Sequence, residues 1–235
     1  MINEEAPIPA DVFANIPTSP KVFEHVAPAN GARWRRELSA RSLPPVGGKL
    51  ATTDLTTISR QEIFDLGDAP ITVDNAFQLL YYSLAWGLGT KAPYLHKRLD
   101  HLAEQREVAG ELLVSAWTLV RDGASPQEAY SCLTNGYGKG RIGWYGPAFS
   151  TKFLYFAQGN VELPRLLILD QVVSENLRRD VWPTAPTGEW WPDTYERYCN
   201  LFVQWAVQAT EQLGRVPSVR ADELELIVFK RHLAA

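Results

Sequence analysis

The placement of proline constrains this chain more than any other feature. Prolines at positions 7, 9, 17, 20, 28, 44 and 45 all fall within the first 45 residues. Each removes a backbone donor and locks φ, which forbids a long helix there. Residues 1–57 therefore read as an extended N-terminal arm that packs on the rest of the chain. Within it, Ala32–Ala40 allows one short helix, and the threonine-rich stretch Lys49–Ile58 favours a strand. From Ser59 onward the apolar residues recur at helical intervals, so residues 58–235 read as one helical domain. At 235 residues the chain has enough material for one sizeable core, and it shows no internal repeat. The expected fold class is mostly α with an irregular N-terminal arm.

The helical part is well punctuated. Ser59 with Glu62 predicts a capping box opening a short helix that stops at Gly67. Val73, Ala76, Phe77, Leu80, Leu84 and Leu88 mark one buried face of a helix ending near Gly87–Gly89. A further helix spans about Tyr94–Leu102, and Val108, Leu112, Leu113, Ala116 and Val120 line another that ends at Gly123. Ser125, Pro126 and Glu128 open a helix through Leu133. Two more are expected over Asp193–Leu213 and about Ser218–Leu233.

Composition narrows the function classes. Hydrophobic residues at 46% and charged residues at 21% describe an ordinary globular protein. The N-terminus carries Glu4 and Glu5 and reads as lacking the basic flank and apolar run of a secretory signal. No apolar run approaches the ~20 residues that span a bilayer, so a cytoplasmic address without a membrane partner is expected. Cys132 and Cys199 are too few for a four-thiolate zinc or iron–sulfur site. His25, His96, His101 and His232 show no metal-ligand spacing, and neither a metal nor a cofactor is expected. The net charge of −4 weighs mildly against a nucleic-acid partner, because DNA binding draws on counterion release by basic groups. The basic residues are nevertheless clustered: Arg33, Arg35, Arg36 and Arg41; Lys91, Lys97 and Arg98; Lys139, Arg141 and Lys152; Arg178 and Arg179. Such clusters are usually solvated helix faces, and the third stands out for where it sits.

That place is the stretch from Asn135 to Leu177. Gly136-Tyr137-Gly138-Lys139-Gly140-Arg141 runs into Ile142-Gly143-Trp144-Tyr145-Gly146-Pro147, and an amphipathic helix, Ala148 to Ala157, follows. After a loop with Gly159 and Pro164, the apolar run Leu166–Leu169 ends at Asp170, which opens another helix. Gly143 and Gly146 leave backbone amides uncovered. With Pro147 at the first helical position, those amides suit an anion such as a DNA phosphate, with Tyr145 beside them and Lys139 and Arg141 adding positive charge. Lys152, among Phe149, Phe153 and Phe156, is partly desolvated, which favours a neutral, nucleophilic amine. Asp170 is placed as a helix N-cap at the end of a buried segment. Taken singly, Lys152 is an ordinary helix lysine and Asp170 an ordinary cap. They stand eighteen residues apart behind a glycine turn.

The order helix, glycine hairpin, helix, loop and aspartate at a helix start resembles the helix-hairpin-helix (HhH-GPD) DNA glycosylase superfamily. The run Gly146–Ala157 with Leu169-Asp170, and the segment Leu84-Ala85-Trp86-Gly87-Leu88-Gly89, are similar to its bacterial 8-oxoguanine-glycosylase-fold (OGG-like) group. The resemblance covers roughly residues 75–180, with the hairpin over about 126–158 and the acid at the start of a helix over 170–179. One departure concerns the hairpin. The usual Leu-Pro-Gly-Val-Gly has its lysine two residues after the last glycine, whereas Lys152 lies six after Gly146.

The resemblance implies a helix-hairpin-helix glycosylase-like helical fold and an enzyme that flips a modified base out of double-stranded DNA, acting as a monomer without an iron–sulfur cluster. It further implies that Asp170 stabilises charge building on the sugar, and that Lys152 attacks the sugar carbon to give a Schiff base able to collapse with strand cleavage. Trp86, Trp144, Tyr145, Trp190, Trp191 and Tyr198 are candidates for sandwiching the flipped base. The base is either an 8-oxoguanine-type oxidised purine, as in repair, or a bulky hypermodified cytosine of phage DNA, as in defence. Two other classes stand beside this one. A non-catalytic helix-hairpin-helix DNA-binding module predicts no product with any DNA, and a helical protein-interaction domain predicts no DNA affinity at low salt.

Overall fold

A computed structural model describes residues 2–184, 188 and 190–231. Helices dominate. The N-terminal stretch holds α1 (Ala10–Ala14), a 3-10 turn at Val22–Glu24, strand β1 (Val26–Asn30), α2 (Gly31–Ser39), α3 (Gly48–Thr52) and strand β2 (Leu55–Ser59). There follow α4 (Arg60–Gly67), α5 (Val73–Leu88), α6 (Leu95–Glu104), α7 (Arg106–Arg121), α8 (Pro126–Leu133), α9 (Pro147–Ala157), α10 (Gln171–Asp180), α11 (Pro192–Leu213) and α12 (Ala221–Lys230).

The local signals act where the sequence puts them. Ser59–Glu62 and Ser125–Glu128 both close reciprocal capping boxes, and α5 ends at Gly89 and α11 at the left-handed Gly214. The last helix is shorter than expected, Ala221–Lys230, and Leu233 lies outside the described residues. The strand expectation needs correcting at its start. Lys49–Thr52 is helical, because Tyr82 on α5 accepts from Leu50 N and donates to Gly47 O, closing the chain into a turn. Only Leu55–Ser59 is extended, paired antiparallel with Val26–Asn30 so that Pro28 faces Thr57. Pro28 lacks an N–H for the ladder, which a two-stranded ribbon tolerates. Val73 and Val108, expected on buried faces, are exposed at the first turns of α5 and α7.

The core is continuous. α9 packs against α4, α5, α7 and α8, while α11 packs on α8 and α12, and α10 on α12. α9 is buried over most of its surface and Phe153 through Ala157 are fully so; such a helix is an interior element. The N-terminal stretch shares this core through Trp34, Leu38, Leu50 and Ile58, and the Trp205 indole of α11 donates to Ala6 O at 2.7 Å. No helix among the described residues is long and apolar enough to cross a membrane.

Candidate active site

Lys152 occupies the second turn of α9, on the side facing α5. Its stem lies against Gly87, where a Cβ would come 3.0 Å from Lys152 Cδ and 3.1 Å from Cε. A glycine at 87 is therefore what leaves the lysine its channel. Only 6% of Lys152 is exposed. Its Nζ donates to Asp170 Oδ2 at 3.2 Å and to Ala148 O at 3.4 Å, and sits 5.9 Å from the Phe149 ring centre, within cation–π range.

Asp170 divides its two oxygens. Oδ1 accepts from Val173 N at 3.2 Å as the N-cap of α10, and Oδ2 faces Lys152. The chain leading to it is irregular yet buried, with Leu166 to Leu169 at most 2% exposed. Buried backbone groups outside helices and sheets need partners from elsewhere, and here side chains supply them. Gln158 Oε1 accepts from Arg165 N and Leu166 N, and its Nε2 donates to Leu166 O. The Tyr195 hydroxyl donates to Leu167 O at 2.9 Å, and that of Tyr198 to Ile168 O at 2.7 Å. Thr151 Oγ1 accepts from Leu169 N and donates to Leu169 O, both at 3.2 Å. Thr151 and Lys152 are neighbours on α9, as Leu169 and Asp170 are on the loop, so one clip sets the distance between amine and carboxylate.

A family model described as "Putative 8-oxoguanine DNA glycosylase OGG-like protein" matches residues 20–229, spanning this pair and the helices that hold it. The chain belongs to this OGG-like family. No curated protein and no solved structure matches it.

In this OGG-like protein the Asp170 carboxyl is pulled two ways. Burial pushes it up; the Lys152 ammonium and the Val173 and Val172 amides outweigh that and hold it below its usual 3.8. A depressed carboxylate stabilises the fold fully above its unfolded value, and the contribution fades as pH falls through the lower folded one. The part of the unfolding free-energy difference between wild type and Asp170→Asn that comes from this carboxylate should thus shrink below about pH 4, separately from any drift near pH 7 caused by relieving Glu225, which the Asp170 charge pushes up. Denaturant melts across pH check this; a difference that does not shrink between pH 4 and 2 refutes it.

Behind the pair lies a fully buried set of charges. Arg60 Nη1 donates to Tyr155 Oη and Glu225 Oε2, both at 3.0 Å, and Arg60 and Glu225 are each 1% exposed. Tyr155 donates to Asp222 Oδ2 at 2.8 Å, and Arg220 grips Asp222 through both oxygens. Burial pushes the Glu225 carboxyl up to about 7 against the pull of Arg60, with the charges of Asp170 and Asp222 adding to the push.

The other sequence candidates fall in several places. Lys139 and Arg141 are exposed in the turn between α8 and α9, which Asn135 organises by accepting from Tyr137 N and Lys139 N. Arg141 Nε donates to Thr134 O. Gly143 presses on the His101 ring, Gly146 is the N-cap of α9, and Tyr145 is buried. Trp144 is 43% exposed at φ +67°, 5.7 Å from exposed Tyr94, with Lys97 over both rings. Trp190 and Tyr198 are wholly buried, Trp191 is exposed, and Trp86 lies beside Lys152's channel at 8% exposure. Reading the sequence missed Thr151, Gln158 and Tyr195 as scaffolding, since nothing in helical periodicity marks a side chain that serves a distant loop. Gly87 stood inside a recognised motif, but its use needed the helix opposite.

Gly87 yields a further expectation. Gly87→Ala brings a methyl to 3.0 Å from the lysine stem and displaces the amine. A reaction that depends on the Lys152 amine should slow by about tenfold or more, since small misplacements of a reacting group are costly, while the melting temperature changes by only a few degrees. An unchanged rate would show that Lys152 reaches its target without the channel.

Proposed function

We propose that the protein is a DNA glycosylase that extrudes a modified base from double-stranded DNA and cuts its N-glycosidic bond with Lys152 and Asp170. The observation that carries this reading is the buried pairing of the two at 3.2 Å in a member of the OGG-like family. As the C1′–N bond breaks, its electron pair leaves with the base and positive charge builds on the sugar. The Asp170 carboxylate, shielded from water, stabilises that charge. Lys152 gives one proton to Asp170, and its lone pair forms the bond to C1′. Opening of the sugar ring and loss of the second amine proton leave a Schiff base. Water then returns the free lysine and an abasic site, or the 3′ phosphate is eliminated as strand cleavage. The exposed cations Lys139 and Arg141, with the N-terminus of α9, suit the DNA backbone. The substrate base is an 8-oxoguanine-type purine or a hypermodified phage cytosine such as the glucosylated hydroxymethyl form; the second would make the enzyme a defence protein.

A base-release assay tests this on duplexes holding 8-oxoguanine, uracil or no modification, and on phage DNA with glucosylated cytosine. Borohydride is added to trap the imine. The expected result is release from one modified substrate and a trapped adduct that Lys152→Gln abolishes. Folded protein that binds DNA and releases nothing from any substrate favours a binding module instead.

A further inference from the structure

Three neighbouring side chains carry buried nitrogens with no hydrogen-bond partner among the described residues: His25 Nδ1, Trp86 Nε1 and Arg60 Nε. They touch one another. The His25 and Trp86 rings meet edge to face at 5.2 Å, and the Arg60 guanidinium lies 5.2 Å from the Trp86 ring centre. On its other side His25 meets Phe229 of α12 at 6.3 Å. Trp86 immediately precedes Gly87, against which the Lys152 stem lies, and its ring meets Phe156, one turn along α9 from Lys152, at 5.6 Å. Trp86 thus links this cluster to the wall of the Lys152 channel.

A buried donor without a partner is costly, and folded proteins keep few of them. Arg60 is committed through Nη1 to Tyr155 and Glu225 and serves as a backing for the Trp86 ring. The Trp86 indole N–H and His25 Nδ1 are uncommitted. Burial, with the charges of Arg60 and Lys230, pushes the His25 imidazole down to about 4. At neutral pH the ring therefore holds one N–H and one lone pair, while the Trp86 indole is a donor only. Such a pair is suited to a flat heteroaromatic group that presents an acceptor to the indole and a complementary atom to the imidazole.

We propose that Trp86 and His25 form the hydrogen-bonding edge that reads the extruded base, the indole N–H donating to an acceptor atom of that base and the imidazole pairing with the atom beside it. This assignment deepens the glycosylase reading and rests on it. A site built around a hydrogen bond discriminates strongly against partners that lack it, because its own polar groups are then left unpaired.

The test uses Trp86→Phe and His25→Phe, which retain a flat ring and remove the polar edge. Single-turnover base release is measured on 8-oxoguanine and glucosylated-cytosine duplexes. Affinity is measured in parallel for a duplex carrying a tetrahydrofuran abasic analogue, which has no base to read. Release should slow about 10- to 100-fold on the preferred substrate in each variant, with affinity for the analogue within twofold of wild type. Unchanged release overturns the assignment, and so does an equal fall in release and analogue affinity. If wild type releases no base from any DNA, the glycosylase reading fails, and calorimetric titration with free 8-oxoguanine and free 5-hydroxymethylcytosine decides the recognition edge separately. Binding by wild type that both variants lose supports it. Absent binding, or binding the variants retain, overturns it.

Discussion

Asp170→Asn is expected to give a folded protein that still binds DNA and has lost base release by about 10³-fold, roughly 4 kcal/mol of barrier. Two features of the site make this substitution clean. Asparagine caps a helix about as well as aspartate, so the bond from Val173 N to the Oδ1 position persists and α10 stays anchored. The loop behind it is held by Gln158, Tyr195, Tyr198 and Thr151, none of which depends on the carboxylate's charge. What disappears is the anion 3.2 Å from the Lys152 amine. DNA affinity should hold or rise, since the substitution removes a negative charge. Single-turnover kinetics, a binding titration and a thermal melt together read the result. A rate within tenfold of wild type in a folded variant would remove Asp170 from the chemistry. Retained release in Lys152→Gln with loss of the trapped adduct would instead leave Asp170 catalytic and direct a water at the sugar.

The largest stability effect is expected at Arg60. Arg60→Met leaves Glu225, at 1% exposure, without its ion-pair partner and with the charges of Asp170 and Asp222 still acting on it. Removing one partner of a buried ion pair typically destabilises by about 3–5 kcal/mol, or about 6–20 °C in melting temperature for a chain of this size. Glu225, already pushed up to about 7, would take up a proton and soften the loss, so the deficit should be larger at pH 8 than at pH 6. The double variant Arg60→Met with Glu225→Gln should recover part of it, because the uncompensated charge is gone. Urea unfolding of wild type and both variants at both pH values checks this. A loss under 1 kcal/mol for the single variant would mean that water reaches Glu225 and that the network contributes little.

The helices and their ends were legible in the chain because their causes are local. Capping boxes at Ser59 and Ser125, Pro126 and Pro147 at first helical positions, and Gly214 past α11 act within one turn. The threonine-rich stretch was legible only in part. Strand formation at Leu55–Ser59 needs Val26–Asn30 beside it, and the helical turn before it needs a tyrosine from α5. Lys152 and Asp170 could be named from their spacing and from the motif around them, eighteen residues apart on a helix and a cap.

What spacing does not contain is everything that makes the two residues a pair. The channel at Gly87 exists because α5 crosses α9 there. The 3.2 Å separation exists because Thr151 clips Leu169 and two tyrosines from α11 hold a buried loop that has no ladder of its own. Trp190 and Tyr198, aromatic and attractive as base platforms in sequence, are sealed in the interior, while His25, unremarkable in sequence, stands against Trp86. The chain alone determined most of the helices after Ser59 and the candidate chemistry, since propensity and capping act over a few residues. Tertiary packing decided which side chains meet, because contacts between distant segments depend on how faces and cavities fit together.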